Sequence, residues 1–282
     1  MKVLVTGASG QLGYDVCKEL ESRKIEHMGT SSRELDITDA TAVDLLVQAY
    51  SPDVVIHCAA YTKVDRAEEE PERAFAVNEQ GTRNLAAACK KIDARMAYLS
   101  TDYVFPGSGE GYYAVDDPIG PQNVYGASKL AGERAVQELL NQYFIVRISW
   151  VFGANGNNFI KTMLRLAQEH EQLSVVCDQI GSPTYTADLA PLLCDLVETE
   201  KYGVYHATNE GVCSWAEFAE EIFRQAGKHV IVNPVTTAEY GAKAPRPLNS
   251  RLSKGKLALA NLSPMPQWKD ALGRFLVEIG AN

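Results

Sequence analysis

Lys2-Val3-Leu4-Val5-Thr6-Gly7-Ala8-Ser9-Gly10-Gln11-Leu12-Gly13 opens the chain and decides how the rest is read. Its apolar start reads as a short buried strand, and helical periodicity takes over from Gln11 to Ser22. Three glycines join the two. In such a strand–turn–helix, Gly7 permits the tight turn, Gly10 lets the backbone approach a pyrophosphate, and Gly13 lets the helix pack on the sheet. The N–H groups and dipole at the helix start then hold the anion. The spacing is G-x-x-G-x-x-G rather than G-x-G-x-x-G, but the setting is the one a dinucleotide fingerprint requires.

The strand–helix rhythm continues outward from this stretch. Residues 26–29 read as a second strand, 40–50 as a helix and 53–58 as a buried strand. A long helix is predicted over 68–91, a strand over 96–100, a helix over 125–141 and a strand over 144–149. Short apolar strands separated by helices indicate a parallel sheet covered on both faces. The fold class is therefore α/β, a Rossmann-like doubly wound sheet. Beyond Trp150 the rhythm loosens. Helices are predicted at 159–169, 187–198 and 215–226, with Trp215 and Phe218 as helix core, and a strand at 173–177. Residues 233–266, rich in Pro, Asn and Ser, read mostly as loop. This gives a dinucleotide-binding domain over 1–150, to which a segment at 173–200 returns. A smaller C-terminal substrate-binding lobe takes 151–172 and 201–282.

Composition bounds the partners. With 282 residues, 46% hydrophobic and 22% charged, this is an ordinary globular chain. A net charge of −9 argues against nucleic-acid binding, which needs a basic face. No apolar run approaches a membrane span, and the first residues are too short in apolar side chains for a signal peptide. Six cysteines without a C-x-x-C pair read as buried free thiols, which suits a cytoplasmic setting. The five histidines lack metal-ligand spacing, so no metal site is predicted, and His57 and His206 read as core residues. Glu68-Glu69-Glu70 reads as acid at a helix start, where the dipole favours it.

A second motif, Tyr125-Gly126-Ala127-Ser128-Lys129, supplies chemistry. Four residues apart on a helix, Tyr125 and Lys129 share a face. A free phenol titrates near ~10, too high for an efficient acid or base, and a neighbouring ammonium lowers it. Ser100-Thr101 ends the preceding strand at the sheet's carboxyl edge, where a hydroxyl can hold a carbonyl for hydride attack. At the end of the second strand, Thr30-Ser31-Ser32-Arg33 offers no carboxylate for a ribose 2′-hydroxyl. Ser31, Ser32 and Arg33 would instead suit a 2′-phosphate, so NADPH is expected as cofactor, with NADH as the alternative.

These residues resemble the extended short-chain dehydrogenases/reductases and, within them, the dTDP-4-dehydrorhamnose reductase family. The matching stretches run almost end to end: 7–13, 36–38, 58–65, Asn78 with 81–85, Ser100-Thr101-Asp102-Tyr103-Val104-Phe105, 125–129, 147–153, 157–163, 178–184 and Arg246-Pro247-Leu248-Asn249-Ser250-Arg251-Leu252. The resemblance implies reduction of the C4 ketone of a dTDP-4-keto sugar, the last step of dTDP-L-rhamnose synthesis for cell-wall polysaccharide. It places Gly7, Gly10, Gln11 and Leu12 at the pyrophosphate, Asp36 and Ile37 at the adenine, and Ala59, Ala60, Tyr61 and Asn78 along the cofactor. Thr101, Tyr125 and Lys129 would carry the chemistry, Lys129 also holding the nicotinamide ribose. Thr62, Val64, Asp102, Trp150, Asn158 and Arg251 would meet the nucleotide-sugar. The family is sometimes linked to Mg²⁺ at a dimer contact. No ligand cluster in this sequence compels a metal, and a homodimer is left open.

Three rivals remain at this point. A nucleotide-sugar 4,6-dehydratase needs an extra acid and base, usually Asp-Glu after the strand hydroxyl, where this chain has Asp102-Tyr103. A 4-epimerase uses the same Tyr and Lys. A non-catalytic regulatory subunit could bind NADP(H) to no chemical end. Finally, residues 241–269 contain no Asp or Glu but carry Lys243, Arg246, Arg251, Lys254, Lys256 and Lys269. In an acidic chain, such a stretch is a candidate diphosphate clamp, with Arg251 as its expected centre.

Overall fold

The computed structural model describes residues 1–281. The opening strand, β1 (Lys2–Thr6), lies inside a six-stranded parallel sheet. It pairs on one side with β2 (Glu26–Thr30) and on the other with β3 (Val54–His57). β4 (Arg95–Thr101), β5 (Tyr143–Ile148) and the strand Gly203–His206 then follow in order. Side chains alternate between the two faces, so β1 serves two cores at once. Val3 and Val5 join α1 (Gln11–Ser22) and the helix Thr186–Val197 on one side. Leu4 faces α2 (Ala40–Tyr50) on the other, with Val55, Met96 and Ile145. The strand order reverses between β1 and β3, and a crevice opens there at the carboxyl ends.

The long helix expected over 68–91 starts later, at Pro71, and then runs without interruption to Lys91. α3 (Val64–Ala67) is a separate short turn before it, and α4 (Pro71–Phe75) is its first segment, with Pro71 where its missing N–H costs nothing. A π-helical turn over Ala76–Gly81 leads into α5 (Thr82–Lys91). Such turns recur at functional sites. Here it turns Asn78, which is buried, toward Tyr61 and toward α6 (Val124–Leu139).

A second core gathers Phe152, Tyr185, Phe218, Trp268 and Phe275. The strand Gln172–Val176 pairs with Ile231–Val235 beside this core rather than returning to the main sheet. Residues that do return are Thr186–Val197, packed on α1, and Gly203–His206, the sheet's last strand. That strand was hard to see because only four residues carry it. Within 233–266 the loops enclose three short elements, Thr237–Tyr240, Asn249–Ser250 and Gly255–Leu259. All six cysteines are free.

Candidate active site

A cavity of about 850 Å³ occupies the crevice, within the range of small-molecule sites. At one end the glycine loop forms its floor. Gly7 has φ +72°, and a side chain there would press on the Ala59 backbone at 2.6 Å. A methyl on Gly13 would collide with the Gly7 carbonyl, so helix and strand meet backbone to backbone. Gly10 caps α1 without any side-chain hydrogen bond, which leaves the helix's first N–H groups available to a ligand. A tight turn aiming bare N–H groups into a cavity fits a dinucleotide pyrophosphate.

Gly7, Gly10, Gln11, Leu12, Ser31, Ser32, Asp36 and Ile37 line this end, and Ala59, Ala60 and Tyr61 line the middle. Thr62, Val64, Thr101, Asp102, Tyr125, Lys129 and Trp150 line the rest. Four expected residues stand outside the lining. Arg33 is exposed on the turn after β2. Asn78 lies behind the wall, its Oδ1 accepting from Tyr61 N at 2.8 Å and its Nδ2 donating to Ser128 Oγ at 2.9 Å. It braces the wall instead of touching the space. Asn158 caps the helix Phe159–Leu166 and donates to Gln11 Oε1 at 3.1 Å, tying the lobe to the glycine loop. Arg251 donates to Asn249 Oδ1 at 2.9 Å.

The basic stretch is not the free clamp its composition suggested. Arg246 forms a two-point pair with Asp65, its closer contact at 2.6 Å, and Lys243 pairs with Glu69 at 2.6 Å. Lys254 meets Glu210 at 3.2 Å, while Lys256 and Lys269 lie over the rings of Tyr205 and Trp268. Acids far away in the chain supply the charge that residues 241–269 lack. Two of them, Asp65 and Glu69, belong to the segment at 64–70 and fasten the loop before the Asn249–Ser250 strand to the cofactor domain.

Sequence reading also missed two residues. Glu34 turns back so that its carboxylate accepts from Ser31 N–H at 2.7 Å, and this bond holds it below the usual carboxylate range. A negative charge therefore stands one residue beyond the Thr30–Arg33 segment, at the same turn. Trp215, expected in a helix core, is the first residue of its helix and lines the cavity instead. It stacks on Trp150 with ring centroids 3.7 Å apart. Its position directly after the N-cap Ser214 was the available signal.

At the chemical end, Thr101 closes β4 and Asn123 caps α6 by accepting from Gly126 N at 2.7 Å. These two elements bring Thr101 and Tyr125 to the same end of the cavity. Thr101 Oγ1 donates to Asp102 Oδ1 at 3.0 Å. Burial pushes the Tyr125 phenol up to about 12, so it holds its proton at neutral pH. Lys129 is 2% exposed, and burial drives its ammonium down to about 7 against the pull of Glu133. Its Nζ lies 4.0 Å from the centre of the Tyr98 ring. Glu133 is bound on both oxygens by Arg147, and Ser100 also donates to one of them. Burial, not the lysine, sets Tyr125 here, contrary to the expectation from spacing. Beneath them His57, held by Thr6 Oγ1 at 2.7 Å and Thr82 Oγ1 at 3.1 Å, is kept neutral by burial. Among the described residues no group of three or more His, Cys, Asp or Glu gathers to hold a metal, and no helix is long and apolar enough to cross a membrane.

A doubly wound sheet whose switch-point cavity ends in Thr101, Tyr125 and Lys129 defines an NAD(P)-dependent oxidoreductase of the extended short-chain type. Comparison narrows this. The family described as RmlD substrate binding domain matches residues 1–280, and the chain belongs to it. A Streptomyces griseus dTDP-4-dehydrorhamnose reductase is 45% identical, over 95% of this chain and 91% of its own. The Bacillus subtilis spore coat polysaccharide biosynthesis protein SpsK is 42% identical, over 98% and 97%. A solved Bacillus anthracis dTDP-4-dehydrorhamnose reductase in complex with NADP superposes with a TM-score of 0.96 at 48% identity, covering 98% of this chain and 99% of that one.

Proposed function

We propose that the chain reduces the C4 ketone of dTDP-4-dehydro-β-L-rhamnose to dTDP-L-rhamnose, with NADPH as the preferred cofactor and in the cytoplasm. The observation that carries this reading is one cavity joining the glycine-loop floor to Thr101, Tyr125 and Lys129. Gly7, Gly10, Gln11 and Leu12 on that floor would hold NADPH, whose chemistry there would be hydride donation to the ketone carbon. Tyr125, protonated at neutral pH, donates its proton to the carbonyl oxygen. Thr101, whose hydroxyl proton points to Asp102 in the free enzyme, would turn it to that oxygen, and Lys129 would restore the phenol and grip the ribose. Trp150 and Trp215 provide a flat apolar end for the sugar.

The division of labour follows. Residues 1–150 with the returning helix and strand bind the cofactor, and the second core presents the sugar. The dehydratase reading is disfavoured because Tyr103, where a glutamate would act as base, is pushed well above the ordinary phenol range by burial. Purified enzyme with NADPH and dTDP-4-keto-L-rhamnose should oxidise the cofactor and yield dTDP-L-rhamnose by NMR. No NADPH oxidation, or a product of other stereochemistry at C4, overturns the assignment.

A further inference from the structure

Ser250 belongs to no role described so far. It is 2% exposed, yet its hydroxyl donates to Asp102 Oδ2 at 2.5 Å across 148 residues of sequence. Asp102, also 2% exposed, accepts the Thr101 hydroxyl on its other oxygen. A continuous chain of three side chains thus runs Ser250–Asp102–Thr101 from the substrate lobe to the cavity wall that Thr101 shares with Tyr125.

The outer end of this chain is rigidly held. Asn249–Ser250 pairs with Ile180–Gly181, Asn249 N donates to the Gly107 carbonyl at 2.9 Å, and Asn249 Nδ2 donates to the Gly111 carbonyl at 2.8 Å. A side chain on Gly181 would press on both Trp150, at 2.8 Å, and the Ser250 Cβ, at 3.0 Å. The strand bearing Ser250 therefore packs in one layer with the indole at the sugar end. Moving that layer moves the serine hydroxyl.

We infer that Ser250 is a positioning residue for the reduction, which fixes the Asp102 carboxylate that in turn holds the Thr101 hydroxyl at the cavity wall beside Tyr125. This inference rests on the reductase reading above. A hydroxyl has one proton and a free torsion, so an acceptor held on its far side decides where its lone pairs face. Ser250 on one oxygen and Thr101 on the other leave Asp102 little freedom to turn away. The titratable groups facing the carboxylate are the phenols of Tyr103 and Tyr125. Burial lifts Asp102 to about 6, and the Ser250 bond works against that rise.

The test is Ser250→Ala beside Ser250→Thr, which keeps a hydroxyl. For Ser250→Ala, kcat should fall at least about tenfold while the KM for NADPH is unchanged, and the acidic limb of the kcat profile should move to higher pH. Ser250→Thr should recover most of the rate. In parallel, ¹³C-carboxyl NMR of the free enzyme, with Asp102→Asn to assign the resonance, should show Asp102 titrating higher in Ser250→Ala. A kcat and pH profile equal to wild type, or an Asp102 titration that does not move, overturns the role of Ser250. A loss confined to the sugar KM also overturns it. Failure of the wild-type enzyme to turn over the keto-sugar would refute the reductase reading instead, and the NMR titration would still decide the hydrogen-bond chain.

Discussion

The glycine loop and the basic stretch at 241–269 look equally distinctive as sequence, yet the structure treats them oppositely. In residues 7–13 the backbone itself forms the floor of the cavity, and neighbours in sequence are neighbours in space. In 241–269 the meaning of each charge depends on what faces it. Arg246 faces Asp65, Lys243 faces Glu69 and Lys254 faces Glu210. A local motif made of backbone geometry can be read from a string of residues. A cluster of side-chain charges cannot, because its partners come from elsewhere in the chain.

The strongest way to break this comparison is at the chemical end, which also rests on a short local motif. Tyr125→Phe should lower kcat by at least ~10²-fold, the scale for losing a positioned acid. NADPH should still bind, since the ring and its packing against Tyr103 remain. Stopped-flow turnover with fluorescence titration of the cofactor checks both halves. Near-normal turnover would remove Tyr125 from the chemistry.

Next in size is the loop itself. Gly13→Ala places a methyl against the Gly7 carbonyl with no flexible side chain to yield. The helix must back away from the strand, at a cost of about 1–3 kcal/mol in folding stability, typical of overpacking. NADPH affinity should fall as well, because the N–H groups at the start of α1 move with the helix. Urea unfolding of the free protein and calorimetry with NADPH measure the two. An alanine tolerated without loss in either would mean that the backbone contact does not shape the site.

The basic stretch should respond more weakly and on a different ligand. Asp65→Ala unfastens Arg246 and the Ala244 N–H together. The pair is partly exposed, so its stabilising effect is about 1 kcal/mol or less. The Arg246 pair holds the Asp65 carboxyl below its ordinary value, and this contribution is present at neutral pH and lost as pH falls through that lowered value. A two- to fivefold rise in KM for the nucleotide-sugar is expected, about what such a pair carries, with KM for NADPH unchanged. An equal rise for both ligands would show that the fastening serves the whole cavity.

Much of the fold was legible because it is written locally. The alternation of Val3, Leu4 and Val5, the glycine spacing, and the Tyr125/Lys129 helix pair each carry their structure within a few residues. What escaped was written at long range. The π-helical turn within the helix at 71–91 carries Asn78, whose partners Tyr61 and Ser128 lie far off in the chain. The strand Gly203–His206 makes sense only beside β5. Lys129 was expected to act on Tyr125 as a cation, but its burial against Tyr98 in the free enzyme is set by packing that no spacing encodes. Trp215 was misplaced for a simpler reason, since periodicity says which face is apolar and not whether that face meets protein or a cavity.

The smallest effects belong to the turn after β2, where a local reading and a missed neighbour compete. Arg33 is exposed and was read as the grip on a 2′-phosphate, while Glu34, overlooked, places a carboxylate on the Ser31 N–H. The two charges act in opposite senses on the same phosphate. Arg33→Ala should raise the KM for NADPH roughly two- to fivefold, as expected for a solvent-screened charge pair, and leave NADH little changed. Glu34→Gln removes a like charge and weakens the bond that occupies Ser31 N–H, so it should lower the NADPH KM by a similar or smaller factor. Both effects should shrink as salt rises, because exposed charges are screened over about 8–10 Å at ordinary ionic strength. Steady-state kinetics with both cofactors at low and high salt separates the possibilities. If Arg33→Ala weakens NADH as much as NADPH, the guanidinium is holding the turn and not reading the phosphate. If only Glu34→Gln changes the ratio, cofactor choice is set by removing a repulsion, and the residue that decides it is the one the local motif left out.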